Sequence, residues 1–162
     1  MAKLVLFFIV ITLLSFRSIA APLLINDQDV YKQITIYNDT LTWKQLGDIR
    51  YVTKSHPDYG EVDYPQVNQL LKTRQGKEII ISGFAIPIDS KSFALSKNVF
   101  ASCFFCGKSG PETIMGIHFK SDDLPKLKTD QYITLKGKFR YNETNVDDWI
   151  YHIDEAVIID GN

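Results

Sequence analysis

Cysteine is scarce in this chain, with two residues, Cys103 and Cys106, and no others. Two thiols exclude a disulfide-rich scaffold. Histidine is almost as scarce, so a nitrogen-ligated metal site would have to draw on His56, His118 and His152 alone. An excess of charge of one sign is also missing: 18 Lys and Arg stand against 19 Asp and Glu. No basic surplus exists to neutralise a phosphate backbone, and a nucleic-acid partner is not expected. There is no internal repeat and no low-complexity tract. No glycine-rich phosphate loop is present, and no serine sits in a nucleophile elbow, which leaves nucleotide hydrolysis and serine-hydrolase chemistry without their parts. The acidic pairs Asp122-Asp123 and Asp147-Asp148 lack the spacing of a calcium loop and read as loop caps or solubilising groups.

Long apolar runs are missing as well, apart from one at the start. Leu4 to Leu14 is apolar except for Thr12. It is shorter than the roughly 20 residues a spanning helix needs. Lys3 precedes it, and Ser18-Ile19-Ala20 or Ile19-Ala20-Ala21 supplies a small-x-small cleavage pattern. Residues 1–20 therefore read as a signal peptide, with the mature chain beginning near Ala21 or Pro22. No cysteine lies near that point, so neither a lipid anchor nor any membrane anchor after cleavage is expected. The expected location is periplasmic or secreted. The remaining length of about 140 residues is near the usual size of one domain.

Residues 21–75 read as an N-terminal arm and a short helix packed on residues 76–162. Tyr31 to Tyr37 is a candidate strand, Tyr51-Val52 is strand-like, and Lys54 to Gly60 is a polar loop. Pro65 is placed to open a helix, with Val67, Leu70 and Leu71 at i, i+3 and i+4 and Gly76 as its stop. Residues 76–162 are more regular. Strands are expected over Glu78–Pro87, Ser92–Leu95, Thr113–Phe119, Tyr132–Tyr141 and Trp149–Ile159, with a short helix or turn over Asp122–Leu127. Tyr132–Tyr141 alternates most cleanly: Ile133, Leu135, Gly137, Phe139 and Tyr141 point one way, and Thr134, Lys136, Lys138 and Arg140 the other. Gly83 sits mid-strand, where a barrel strand bends to serve two sheets. This order is that of an all-β, OB-fold-like five-stranded barrel.

The cysteines lie in Cys103-Phe104-Phe105-Cys106-Gly107-Lys108-Ser109-Gly110-Pro111-Glu112, between the second and third barrel strands. Three readings of the pair stay open. An oxidising compartment favours a Cys103–Cys106 disulfide that locks the loop. Cys-x-x-Cys-Gly is also the form of a metal knuckle, because the glycine permits a tight turn under the thiolates. With His118 and His152 it would complete a four-ligand site for zinc or another transition metal. The third reading is a thiol-disulfide oxidoreductase using Cys103 and Cys106. It is weakened by Gly107, Gly110 and Pro111, which prevent the helix that lowers a catalytic thiol's pKa. Haem attachment is disfavoured because Gly107 stands where the ligating histidine belongs. Phe104 and Phe105, with Gly107, Gly110, Pro111 and Glu112, form a candidate partner-binding loop if the rings are not core.

The motifs Trp43-Lys44-Gln45-Leu46, Gly76-Lys77-Glu78-Ile79, Ile81-Ser82-Gly83-Phe84-Ala85-Ile86-Pro87 and Phe93-Ala94-Leu95-Ser96 occur here in that order. They are followed by Cys103-x-x-Cys106-Gly107-x-x-Gly110-Pro111-Glu112 and Thr134-Leu135-Lys136-Gly137. In this the chain resembles an uncharacterised family of exported, OB-fold-like proteins of Gram-negative bacteria, a domain of unknown function. The resemblance implies the fold and the compartment. It also implies an envelope transporter as partner, since relatives are encoded beside metal-uptake or export transporters. Many relatives carry a single cysteine and a proline-rich turn at the equivalent loop, where this chain has two cysteines and Gly-Pro-Glu. The expected function is that of an exported, non-enzymatic binding or accessory protein, metal-binding or transporter-associated through the cysteine loop. The alternatives are a thiol-disulfide oxidoreductase and a structural domain with a locked loop.

Overall fold

A computed structural model of the chain describes Gln28, residues 39–100 and residues 109–161. The candidate strand Tyr31–Tyr37 lies outside the described residues. Apart from Gln28, those residues belong to one compact unit spanning residues 34–162. The first element whose bounds are described is a one-turn helix, α1 (Trp43–Leu46). Thr42 caps it: its hydroxyl accepts from the Gln45 N–H, and the Gln45 side chain accepts from the Thr42 N–H at 2.9 Å. A reciprocal cap of this kind compensates for a helix too short to sustain itself.

Strands β1 (Ile49–His56) and β2 (Gly60–Val67) then form an antiparallel hairpin, paired from Ile49↔Val67 to His56↔Gly60. Gly60 takes a positive φ of 75° at the turn, a conformation that favours glycine. The hairpin corrects two expectations. The polar stretch from Lys54 to Gly60 is mostly strand. Pro65 opens no helix but lies within β2 opposite Tyr51. Helix α2 (Gln69–Arg74) begins later, where the Asn68 side chain accepts from the Leu71 N–H. Leu71 is buried, but Leu70 is 41% exposed and Val67 belongs to the strand, so the three do not share a helical face. Gly76, at φ 71°, ends the turn after α2.

Five strands close into a barrel: β3 (Glu78–Pro87), β4 (Phe93–Ser96), β5 (Ile114–Phe119), β6 (Tyr132–Tyr141) and β7 (Tyr151–Gly161). Their order around the barrel is β3-β4-β5-β7-β6, with β5 and β7 parallel and all other neighbours antiparallel. This is the OB-fold arrangement expected from the strand order. β3 serves two partners in succession. Its first half pairs with β6, its second half with β4, and Phe84 pairs with both Tyr132 and Ser96. Gly83 stands at that changeover. A Cβ there would lie 2.6 Å from the Ser96 carbonyl and 2.9 Å from the Leu95 side chain. The alternation in β6 holds: Ile133, Leu135, Gly137 and Phe139 are buried.

No helix forms over Asp122–Leu127; residues 120–131 are bends and irregular backbone. A short 3-10 turn (Pro111–Thr113) leads into β5 instead. The core joins both parts of the unit. Leu41, Leu46, Val67 and Leu71 pack in one cluster with Ile81, Leu95, Met115, Leu135, Phe139 and Ile153. Tyr151 is fully buried in that cluster, and its hydroxyl donates to the Leu46 carbonyl at 2.7 Å.

Candidate functional site

Cys103, Phe104, Phe105, Cys106 and Gly107 lie outside the described residues. The neck of their loop is described. Lys97 N–H donates to the Thr113 carbonyl at 2.9 Å, which continues the β4–β5 pairing. The Asn98 amide reaches the Ser109 hydroxyl at 3.0 Å. Gly110 accepts from both the N–H and the hydroxyl of Thr113, closing the 3-10 turn. A Cβ at Gly110 would meet the Glu112 carboxylate, the tip of a flexible side chain that can turn aside. Glu112 in turn accepts from the Tyr51 hydroxyl at 2.9 Å. The tyrosine's pKa is raised, first by burial and then by this carboxylate.

Pro111 and Tyr51 belong to the wall of a groove of 480 Å³. Its other sides are Val62 to Pro65 of β2 and the β6–β7 loop from Asn142 to Ile150. Tyr51, Tyr64 and Trp149 are among its lining residues, as are Asp63, Asp147 and Asp148. By the β1–β2 register, Tyr51, Asp63 and Pro65 share one face of the hairpin and Tyr64 the other. The β6–β7 loop is shaped by its own side chains. The Asn142 carbonyl oxygen accepts from Thr144 and Asn145 N–H at 3.0 and 2.8 Å, and its amide donates to the Asn145 carbonyl at 2.6 Å. Such side-chain-to-backbone bonds let a polar loop hold a shape without secondary structure. The hairpin is tied to this loop at both ends: Tyr59 OH donates to Asp147 at 2.9 Å, and Val67 N–H donates to Glu143 at 2.8 Å.

His118 and His152 meet on the outer face of the barrel because β5 and β7 are neighbours. His118 Nε2 lies 3.1 Å from His152 Nδ1. His152 is only 2% exposed, packed over Gly116, where a Cβ would stand 2.9 Å from both its Nδ1 and the Trp149 ring. Its Nε2 lies 3.1 Å from the Trp149 carbonyl and 3.2 Å from an Asp148 carboxylate oxygen. Both neighbours only accept, so Nε2 carries the hydrogen and, in the neutral ring, Nδ1 offers its lone pair to His118. Burial is the largest influence lowering the His152 pKa, followed by the charge of Arg140. Arg140 forks onto Asp154 at 2.7 and 3.0 Å and comes within 3.4 Å of His118 Nε2. That pairing lowers the Asp154 pKa.

Of the residues the sequence singled out for metal, the structure thus brings His118 and His152 together. His56 is on the hairpin, stacked on Tyr59 at 4.8 Å. Among the described residues no group of three or more His, Cys, Asp or Glu side chains is placed to hold a metal ion. The groove was not read from the sequence. Tyr51, Tyr64 and Trp149 lie 13 or more residues apart in pairs, and only the hairpin and barrel closure join them. The one local signal was a polar loop, Asn142–Asp148, between two strongly patterned strands.

The chain matches no family model and no curated protein. Among solved structures it is similar to a DUF3299 family protein from Pseudomonas aeruginosa PAO1, at 13% identity and a TM-score of 0.49, over 75% of this chain and 95% of that one.

Proposed function

We propose that this chain is an exported, non-enzymatic binding or accessory protein. It holds its ligand in the groove between the β1–β2 hairpin and the β6–β7 loop, next to Pro111. The observation that carries this reading is the 480 Å³ groove with three aromatic residues and Pro111 in its lining. A concave site with aromatic walls and a few placed polar groups is the usual form of a binding site. An envelope transporter remains the proposed context. The test is a photocrosslinking residue in place of Tyr64, in the full chain expressed with its leader in a Gram-negative host. The same residue in place of Lys136, on the outer face of β6, is the control. A discrete adduct from the first site and none from the second is expected. No adduct, or the same adducts from both, overturns the reading. Insulin reduction by the purified protein would move the proposal to the oxidoreductase class.

A second reading rests on the histidine pair. Zinc or another transition metal would take His118 and His152, with Cys103 and Cys106 as sulfur ligands. Two features favour it: ring nitrogens 3.1 Å apart, and a His152 whose other nitrogen is held by a carbonyl and a carboxylate. Ligating histidines are commonly oriented by such partners. Elemental analysis of reduced protein prepared without chelator should find about one metal per chain, lost in His118→Ala. Metal-free protein that takes up none on addition would end this reading.

A further inference from the structure

We infer that the groove takes a lysine or arginine side chain on an extended segment of a partner protein; this rests on the groove being the binding site. Asp63, Asp147 and Asp148 line it, and among the described residues no lysine or arginine does. Each carboxylate is held by neutral or weakly basic groups. Asp63 accepts from the Thr53 hydroxyl at 2.6 Å and Asp147 from the Tyr59 hydroxyl at 2.9 Å. Asp148 accepts from the Trp149 N–H at 2.8 Å and neighbours the His152 ring. Glu112, at the rim, is held by the Tyr51 hydroxyl. The lysine and arginine ion pairs of the described residues lie elsewhere, on Glu143, Glu78, Glu155 and Asp154. Arg140 senses the Asp148 charge but is committed to Asp154.

Among the described residues, the lining therefore carries three carboxylates and no lysine or arginine of its own. Its rings strengthen the case, because the faces of tyrosine and tryptophan attract ammonium and guanidinium groups. The Tyr64 ring already has a cation on it, the Lys54 ammonium 5.2 Å from its centre, which leaves the rings of Tyr51 and Trp149 to the ligand. The groove, with Pro65 and Pro111 also in its lining, is partly open to solvent rather than an enclosed cavity. An extended peptide with a protruding cationic side chain fits this shape better than a compact ion.

The experiment uses the Trp43→Phe variant of the mature chain, in which Trp149 is the sole tryptophan reporter. Its emission is followed on titration with an acetylated, amidated alternating lysine–alanine hexapeptide. Matched peptides carry norleucine or glutamate for lysine, and spermidine is titrated separately. A saturable change is expected with the lysine peptide, weakening as salt is raised. Norleucine should weaken binding by at least about tenfold, as should Asp63→Asn combined with Asp147→Asn. Asparagine keeps an acceptor for Thr53 and Tyr59, and unchanged melting of each single variant confirms that the fold is kept. If the norleucine or glutamate peptide binds as tightly, the cationic ligand is wrong while the groove stands. If spermidine binds as tightly as the lysine peptide, the peptide partner is wrong. If no compound perturbs Trp149, both the inference and the groove reading fall.

Discussion

Individual residues in this barrel are constrained by what lies one atom away. At Gly83 the missing Cβ is the space in which β3 turns from β6 to β4. Gly83→Ala pushes a methyl group onto a backbone carbonyl, which cannot swing aside as a side-chain tip would. A loss of about 1–3 kcal/mol is expected from overpacking, measured as a lower urea midpoint at unchanged slope. An unchanged midpoint would mean that the strand bends without needing glycine. Tyr151 is constrained by polarity instead. Tyr151→Phe keeps the buried ring but leaves the Leu46 carbonyl without its 2.7 Å donor. The expected loss is about 1–3 kcal/mol, the usual penalty for an orphaned buried acceptor.

At the level of elements, the hairpin and the β6–β7 loop hold each other. Tyr59 and Tyr51 supply hydroxyl bonds across the groove, to Asp147 and to Glu112. β1 is largely exposed and β2 half exposed, and their apolar anchors Ile49 and Val67 lie at one end of the hairpin. In a Tyr51→Phe, Tyr59→Phe double variant, amide hydrogen exchange should quicken in residues 49–67 and stay unchanged in β3 and β6. Equal protection in both would show that backbone pairing alone keeps the hairpin in place.

The β5–β7 contact makes a further prediction through His152. Its pKa in the folded protein lies below the ordinary value of 6.5. The unfolded chain therefore takes up the proton first, and stability falls as pH drops from about 6.5 toward the folded value. Burial and the charges of Arg140 and His118 hold the value down, while Asp148 and Asp154 oppose them. Asp154, also depressed, acts in a separate window: its contribution is present above 3.8 and is lost as pH falls below it. Denaturation midpoints across pH 7 to 5 should decline in the natural chain and flatten in His152→Gln; parallel curves would assign the decline to another group.

The unit as a whole folds around one core to which the segments before the barrel contribute. Leu46 and Leu71 are fully buried among barrel side chains. Leu46→Ala or Leu71→Ala should cost about 2–5 kcal/mol, as truncation of a buried leucine does in other cores. The loss should appear in one transition, seen alike by far-ultraviolet circular dichroism and by Trp43, whose indole N–H donates to the Ser82 carbonyl of β3 at 2.8 Å. Two separate transitions would mean that residues 39–75 melt independently of the barrel.

The barrel was legible in the sequence because strand alternation is a local property. Burying one face of β6 demands an apolar residue at every second position, and a strand that must bend needs a glycine at the bend. The same logic misled at Pro65. The spacing of Val67, Leu70 and Leu71 suits a helix, but hairpin pairing with β1 claimed Pro65 and Val67 first. The histidine pair was half legible: both residues stood out, and their meeting depended on which strands became neighbours. Barrel closure set β5 beside β7 and brought His118 to His152. The groove was legible only as the polar loop Asn142–Asp148, since its other wall comes from a hairpin far away in the chain. The sequence by itself determined the barrel strands, their closure and the cysteine pair, because each follows from residue type and short-range spacing. Only the tertiary structure decided which side chains face one another, because that depends on strand order and register around the barrel.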